Sequence, residues 1–272
     1  MPRFLTESYQ TRRGDVSLKY SICITHFNDV LTVETSLNDV LKQIPVDCEI
    51  VVVDQKSTDG SMRILERYRN AGLIKLYSQP VRNIGLGRQL AFEKSTGEYV
   101  IAGFGMDDSF NPVLPELLQL YHEKCEGLLL RCPGADIAPR QLIKEIGGWR
   151  DLHYYEDLDL WCRALIANKY AWTIYPLRRG AYSHPERKSF YNRIGYWIMR
   201  NRESMRIGKF DRNRLRNLNA LPIIALSWIE STLMASYKGD RGYLSETEAL
   251  KYFVDFGFGA TEEEYPNPAP KC

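Results

Sequence analysis

Three acidic groupings in this 272-residue chain bring together side chains whose type and spacing could do chemistry. The first is Val51-Val52-Val53-Asp54, followed by Gln55-Lys56-Ser57-Thr58-Asp59-Gly60. A carboxylate ending an apolar run suits hydrogen bonding to a base or ribose, while Ser57, Thr58 or Asp59 is placed to cap the next helix. The second is Met106-Asp107-Asp108-Ser109. Adjacent carboxylates repel unless a cation or solvent offsets them, and hard oxygen ligands suit Mg²⁺ or Mn²⁺. The third is Tyr155-Glu156-Asp157-Leu158-Asp159-Leu160-Trp161. Acids in a first helical turn complement the helix dipole, and the same acids could serve as a general base toward a hydroxyl.

Alternating strands and helices must position these groups. Tyr20 to Thr25 and Glu49 to Val53 are β-branched runs too apolar for half-exposed strands, so they read as buried parallel strands. Between them Val30, Val33, Leu37, Val40, Leu41 and Ile44 recur at helical spacing and stop before Pro45. The alternation continues with a helix over Ser61 to Arg69, a strand Leu73 to Tyr77, a helix Leu86 to Lys94 and a strand Tyr99 to Gly103. The second half predicts a helix Pro115 to Lys124, a strand Leu128 to Cys132, a helix Glu156 to Asn168 and a strand Ala171 to Tyr175. This is an open α/β sheet, in which ligands bind beyond the carboxyl ends of the strands. The first two acidic groupings directly follow predicted strands of that sheet, and the third opens a predicted helix.

Composition narrows the function classes. The chain has 36 Lys and Arg against 34 Asp and Glu, which excludes a chain-wide polyanion binder, and its 44% hydrophobic content is that of an ordinary folded protein. Cys23, Cys48, Cys125, Cys132, Cys162 and Cys272 include no CxxC pair, and no apolar leader precedes the first strand, so reduced thiols in a cytoplasmic protein are expected. Leu221 to Ala235 is the longest apolar stretch and is too short to span a bilayer, which needs about 20 apolar residues.

The motifs in order carry a resemblance that none carries singly. Thr25-His26-Phe27-Asn28 follows strand one, Asp54 with Ser57-Thr58-Asp59-Gly60 follows strand two, and Arg82-Asn83-Ile84-Gly85-Leu86-Gly87-Arg88 follows strand three. Asp107-Asp108 and then Glu156-Asp157 complete the series. From about Tyr20 to Ser189 the chain resembles a family 2 glycosyltransferase. The resemblance implies a GT-A fold, with a mostly parallel twisted sheet flanked by helices, and a metal-dependent inverting transfer from a nucleoside-diphosphate sugar (UDP-, GDP- or dTDP-linked) to a hydroxyl acceptor, glycan or lipid-linked saccharide.

Carried over residue by residue, Thr25, Phe27, Asp54, Asn83, Arg88 and Asp107 would contact the nucleotide. Asp108, with Asp107 and His184, would hold Mn²⁺ or Mg²⁺. Asp157 would be the general base with Glu156 beside it, and Trp149 and Arg150 would lie on the acceptor side, although aromatic core packing accounts equally for Trp149. The chain departs from the pattern where Gln55 and Lys56 precede Ser57, and where Met106 and Ser109 flank the acid pair in place of Asp-x-Asp.

Residues 1–19 read as an N-terminal arm, 20–186 as the GT-A domain, 187–261 as a basic and apolar helical extension, and 262–272 as a flexible tail. Arg187 to Arg216 holds ten Lys or Arg against Glu203 and Asp211, interleaved with aromatics. This predicts peripheral contact through residues 187–235 with the inner membrane face, with a basic helix packed on the domain as the plain alternative. No recognition motif for nucleic acid accompanies the charge. Two rival functions are a catalytically inactive nucleotide-sugar-binding or scaffolding protein of the same fold, and a sugar-phosphate nucleotidyltransferase. The second would need an N-terminal glycine-rich phosphate loop, and Ile22 to Asn28 has no glycine. Gly85 to Ala91 likewise lacks the third glycine of a dinucleotide fingerprint.

Overall fold

The computed structural model describes residues 17–181, 190–208, 210, 215–217, 220–237 and 250–256. The first half runs β1 (Tyr20–His26), α1 (Val33–Leu41), β2 (Cys48–Asp54), α2 (Ser61–Asn70), β3 (Lys75–Ser78), α3 (Ile84–Lys94) and β4 (Tyr99–Ala102). It continues with β5 (Asp108–Phe110), α4 (Leu114–Lys124), β6 (Leu129–Cys132), β7 (Ala135–Pro139), α5 (Arg140–Glu145), α6 (Glu156–Ile166), β8 (Tyr170–Trp172) and β9 (Arg178–Ala181). Helices α7 (Phe190–Arg206) and α8 (Leu221–Thr232) follow.

The main sheet has the order β3-β2-β1-β4-β7-β6-β8, and β5 pairs with β9 in a separate two-stranded sheet. Strands β3, β2, β1 and β4 are parallel, with His26 opposite Asp54 at the carboxyl end. Both faces of the sheet are buried, which explains why β1 and β2 lack polar alternation. Side chains alternate between faces: Ile22, Ile24, Ile50 and Val52 pack with α1, α2 and α4, while Cys23, Val51 and Val53 pack with α3, α5 and α6.

Where the structure departs from the sequence-based elements, pairing is the cause. β7 lies antiparallel between β4 and β6, a strand the sequence did not announce, because Ala135–Pro139 is short and ends in proline. The expected strand Leu73 to Tyr77 is shifted to Lys75–Ser78, since only those residues lie opposite Val51–Asp54. Similarly, Ala171 to Tyr175 contracts to Tyr170–Trp172, the length that β6 can pair. Asp108 is not in a loop but opens β5, opposite Ala181.

The extension beyond β9 packs on the domain. Ile207 joins Leu152, Leu158 and Cys162 in a small apolar cluster, and α8 packs on α7. Val254 N–H donates to the Trp172 carbonyl at 2.9 Å, so residues 250–256 return to the sheet edge.

Helix α3 approaches the 150–152 loop closely enough that its glycines are required. A Cβ on Gly85 would lie 2.1 Å from the Arg150 carbonyl oxygen, and one on Gly87 would lie 2.4 Å from Gln55 Nε2. Gly195 in α7 has nothing within 4 Å of a Cβ. Gly85→Ala should therefore destabilise by about 1–3 kcal/mol through overpacking. Gly195→Ala should stabilise by up to about 1 kcal/mol from helix propensity. Chemical denaturation of the two variants checks both signs.

Candidate active site

The carboxyl ends of β1, β2 and β4 carry the first cluster. Asp54 is buried; its Oδ2 accepts from Ser57 N–H at 3.0 Å, and its Oδ1 has no hydrogen-bond partner. His26, which the sequence reading did not single out, lies beside it with Nε2 4.0 Å from Asp54 Oδ1 and 2.8 Å from Ser61 Oγ. Burial lowers the His26 pKa, with the charges of Asp54, Asp59 and Asp107 opposing that shift. The loops after β1 and β2 are stitched together: Asn28 N–H donates to Ser57 Oγ, Thr58 N–H to Asn28 Oδ1, and Val30 N–H to Asp59 Oδ2. Asp59 also accepts from Ser61 N–H at the start of α2, so it supplies the capping expected of this motif. Burial would raise its carboxyl, but the donors Ser61 and Val30 outweigh that and hold it below its ordinary value. Thr25 is half-buried next to Gly87, and the Arg82 guanidinium stacks 4.1 Å from the Phe27 ring centroid.

The Asp107-Asp108 pair forms the second cluster. Asp108 Oδ1 accepts from Arg178 Nε at 2.8 Å and lies 2.5 Å from Arg178 Nη2, an ion pair contributed by β9. Burial raises the Asp108 carboxyl, Arg178 opposes this and Asp107 adds to it. Gly105 makes room for both acids: a Cβ there would meet Asp107 Oδ1 at 2.7 Å and Asp108 Oδ2 at 3.0 Å. The two carboxylates thus lean over one glycine. A pair of hard oxygen donors fits Mg²⁺ or Mn²⁺ when substrate phosphates and water complete the shell. No group of three or more metal-binding side chains occurs among the described residues, and His184 lies outside them.

The third cluster surrounds the N-terminus of α6. Asp157 Oδ1 accepts from Trp149 Nε1–H at 3.0 Å, and Asp157 Oδ2 lies 2.7 Å from Arg88 Nη2. Arg88 Nε donates to Glu156 Oε1 at 3.1 Å, so one guanidinium spans both acids. Asp136 on β7 is buried, accepts from Trp161 Nε1–H at 2.8 Å, and feels the charge of Asp157. Burial first, then the Asp157 charge, raises the carboxyls of Glu156 and Asp136. Asp159 serves the scaffold: it pairs with Arg163 at 2.8 Å, and Arg163 holds the Gly148 carbonyl at 2.6 Å.

Other expected site residues are placed differently from a direct ligand contact. Asn83 is buried as the cap of α3, accepting from Leu86 N–H and donating to Asp151 Oδ1 at 2.5 Å. Arg88 turns to Glu156 and Asp157. The Trp149 ring is packed in the core, 6.0 Å from Phe92 and 4% exposed, so it offers no face to a sugar; its N–H orients Asp157. Arg150 lies 3.5 Å from Asp159 and 4.9 Å from the Tyr237 ring centroid.

The extension supplies groups that sequence reading missed. Arg200 on α7 donates to Tyr155 Oη at 3.0 Å, Tyr196 Oη donates to Tyr154 Oη at 3.0 Å, and His153 lies 3.5 Å from the buried Glu203. Tyr155, immediately before Glu156, has φ 66°, and the site loops also place Asn28 at φ 55° and Lys56 at φ 64°. Asparagine adopts this region readily, whereas Lys56 and Tyr155 hold it against their intrinsic preference.

Residues 21–208 match the profile described as Glycosyl transferase family 2. A cholesterol galactosyltransferase of Borreliella burgdorferi is 36% identical over 101 residues, covering 37% of this chain and 28% of its own length. The poly(ribitol-phosphate) β-N-acetylglucosaminyltransferase TarS of Staphylococcus aureus is 33% identical over 88 residues, covering 31% of this chain and 15% of its own length. The chain therefore spans less than a third of the length of the curated relatives it matches. In fold it is similar to the S. aureus TarS crystal structure (TM-score 0.57, 19% identity, 79% of this chain and 48% of that one). It is also similar to the mannosyltransferase PcManGT of Pyrobaculum calidifontis, solved with GDP-Man and Mn²⁺ (TM-score 0.54, 16% identity, 86% of this chain and 82% of that one). With the profile covering most of the chain and the motif acids gathered at one end of a GT-A sheet, the chain belongs to glycosyl transferase family 2.

Proposed function

We propose that the protein transfers a sugar, with inversion, from a nucleoside-diphosphate sugar to a hydroxyl of a saccharide or lipid-linked acceptor. The observation that carries this reading is Asp157, held by Trp149 on one oxygen and Arg88 on the other, in a fold whose nucleotide-side acids lie at the same sheet end. A general base needs that kind of fixed orientation. Structures similar in fold are described as complexes with UDP, UDP-GlcNAc and GDP-Man, which supports a nucleotide-sugar donor.

In this reading Asp54 and Phe27 engage the base and ribose; the unpartnered Asp54 Oδ1 is an acceptor awaiting a donor. Asp107, with the Asp108 Oδ2 that Arg178 does not engage, would hold a divalent cation, which when bound offsets the charge on the departing diphosphate. Asp157 takes the proton from the acceptor hydroxyl as its oxygen attacks the anomeric carbon. The bond to the diphosphate breaks on the opposite face, and no covalent enzyme intermediate forms. Glu156 stays protonated beside it, because Arg88 cannot neutralise both acids in a buried site.

Three measurements test this. Asp157→Asn should retain nucleotide affinity and lose transfer by at least about a hundredfold; weakened binding with turnover preserved would reverse the roles of the acidic motifs, and no transfer by wild type with any donor would favour an inactive binding protein. Calorimetry of UDP, GDP and dTDP with Mn²⁺ and with chelator should show one nucleotide binding in a metal-dependent way that Asp107→Asn abolishes. Asp107 is the cleaner position, because Asp108→Asn would also strand Arg178. Finally, the raised Glu156 carboxyl favours the folded state at low pH, and this contribution is lost as pH rises through its folded value. Thermal melts should therefore show wild type losing stability relative to Glu156→Gln as pH rises from about 4.5 to about 8, and no further relative loss above that.

A further inference from the structure

We propose that the outer face of α8 docks on an anionic lipid surface. Helix α8 contains a single charged residue, Glu230, and Arg202 Nη1 holds it at 2.9 Å. Its inner side is occupied: Ile224 and Ser227 are buried toward α7. The outer side is apolar and open, with Leu233 82%, Trp228 61%, Leu226 51% and Ile229 50% exposed, and Leu221 beside them. At 3.6 residues per turn these positions fill an arc of roughly 160°, in which Thr232 is the one polar side chain. An apolar cavity of about 1120 Å³, lined by Met205, Leu215, Ile224 and Trp228 among others, opens along the same helix pair. Isolated exposed apolar side chains need no explanation, but a contiguous patch of this kind marks an interaction surface.

Charge selects the occupant. Of the ten bases between Arg187 and Arg216, Arg200, Arg202 and Arg206 are committed to Tyr155, Glu230 and Glu203. By sequence the stretch between α7 and α8 adds Lys209, Arg212, Arg214 and Arg216 against Asp211, and Arg216 is exposed. An apolar helix face preceded by surplus Lys and Arg is complementary to a leaflet of anionic headgroups over acyl chains, whereas the same charge surplus brought against a second copy of itself would repel. No helix among the described residues is long and apolar enough to cross a membrane. At 12 residues α8 is about 18 Å long, against a hydrocarbon core of about 30 Å, so it suits lying in the interface plane. This inference goes beyond the transferase reading, and its test reads binding, so the two can fail separately.

The experiment is co-sedimentation of the full chain with vesicles of phosphatidylcholine, with and without phosphatidylglycerol, at low and high salt. Wild type should partition onto the anionic vesicles at least about tenfold better than onto neutral ones, with the difference shrinking in high salt. Trp228→Ser combined with Leu233→Ser should lose that binding while keeping its thermal melt and its transfer to a soluble acceptor, since both side chains are exposed. Three results would overturn the proposal: no binding to anionic vesicles, equal binding by wild type and the double variant, or a wild-type dimer by light scattering that the double variant converts to monomer.

Discussion

One guanidinium spans the two carboxylates of the Glu156-Asp157 motif, and much of the site's architecture follows from that contact. Glu156 and Asp136 are buried, and burial together with the Asp157 charge raises both carboxyls even though Arg88 opposes the shift. The arrangement is viable only if the acids are held apart by directed hydrogen bonds, and Trp149 and Trp161 supply an indole N–H to Asp157 and Asp136 respectively. Burying such a group is weak evidence for stability, and removing one partner of a buried pair typically costs about 3–5 kcal/mol. The arrangement is better understood as fixing where a proton sits than as holding the fold together.

That contact in turn constrains the elements around it. Arg88 reaches the acids because α3 lies hard against the 150–152 loop, an approach that Gly85 permits and any side chain would block. Arg163 fixes the same loop from beneath through the Ile146 and Gly148 carbonyls, and is itself aligned by Asp159. The loops after β1 and β2 are joined through Asn28, Ser57 and Asp59, and Asp54 Oδ1 has no hydrogen-bond partner among the described residues. Strained backbone at Lys56 and Tyr155 falls in these same loops, where the packing enforces it.

The C-terminal extension belongs to this system. Arg200 and Tyr196 touch Tyr155 and Tyr154, Glu203 faces His153, and Tyr237 lies under Arg150, so the loop preceding α6 is clamped between the sheet and α7. The family profile runs to residue 208, into the end of this clamp. Among the described residues α8 packs on α7 along one side, so the extension buttresses the acidic loop with one helix and exposes apolar surface on the next.

The amino-acid sequence by itself determined the alternating α/β architecture, because strands buried on both faces must be apolar throughout and their intervening helices must show apolar residues at helical spacing. It also singled out Asp54 and Asp107-Asp108, which directly follow predicted strands where ligands gather in such sheets, and Glu156-Asp157, which opens a predicted helix. Partnerships were decided only by the tertiary structure. Arg178 reaches Asp108 across 70 residues, Arg88 reaches Glu156 across 68, and Asp136 enters the site on β7, whose antiparallel insertion no local pattern announces. Trp149 illustrates the difference. Its type suggested either a sugar platform or core packing, and its neighbours decide for the core while directing its one polar atom to Asp157. Local sequence encodes periodicity and chain direction, whereas a buried charge acquires its role from whichever partner long-range packing brings within hydrogen-bonding distance.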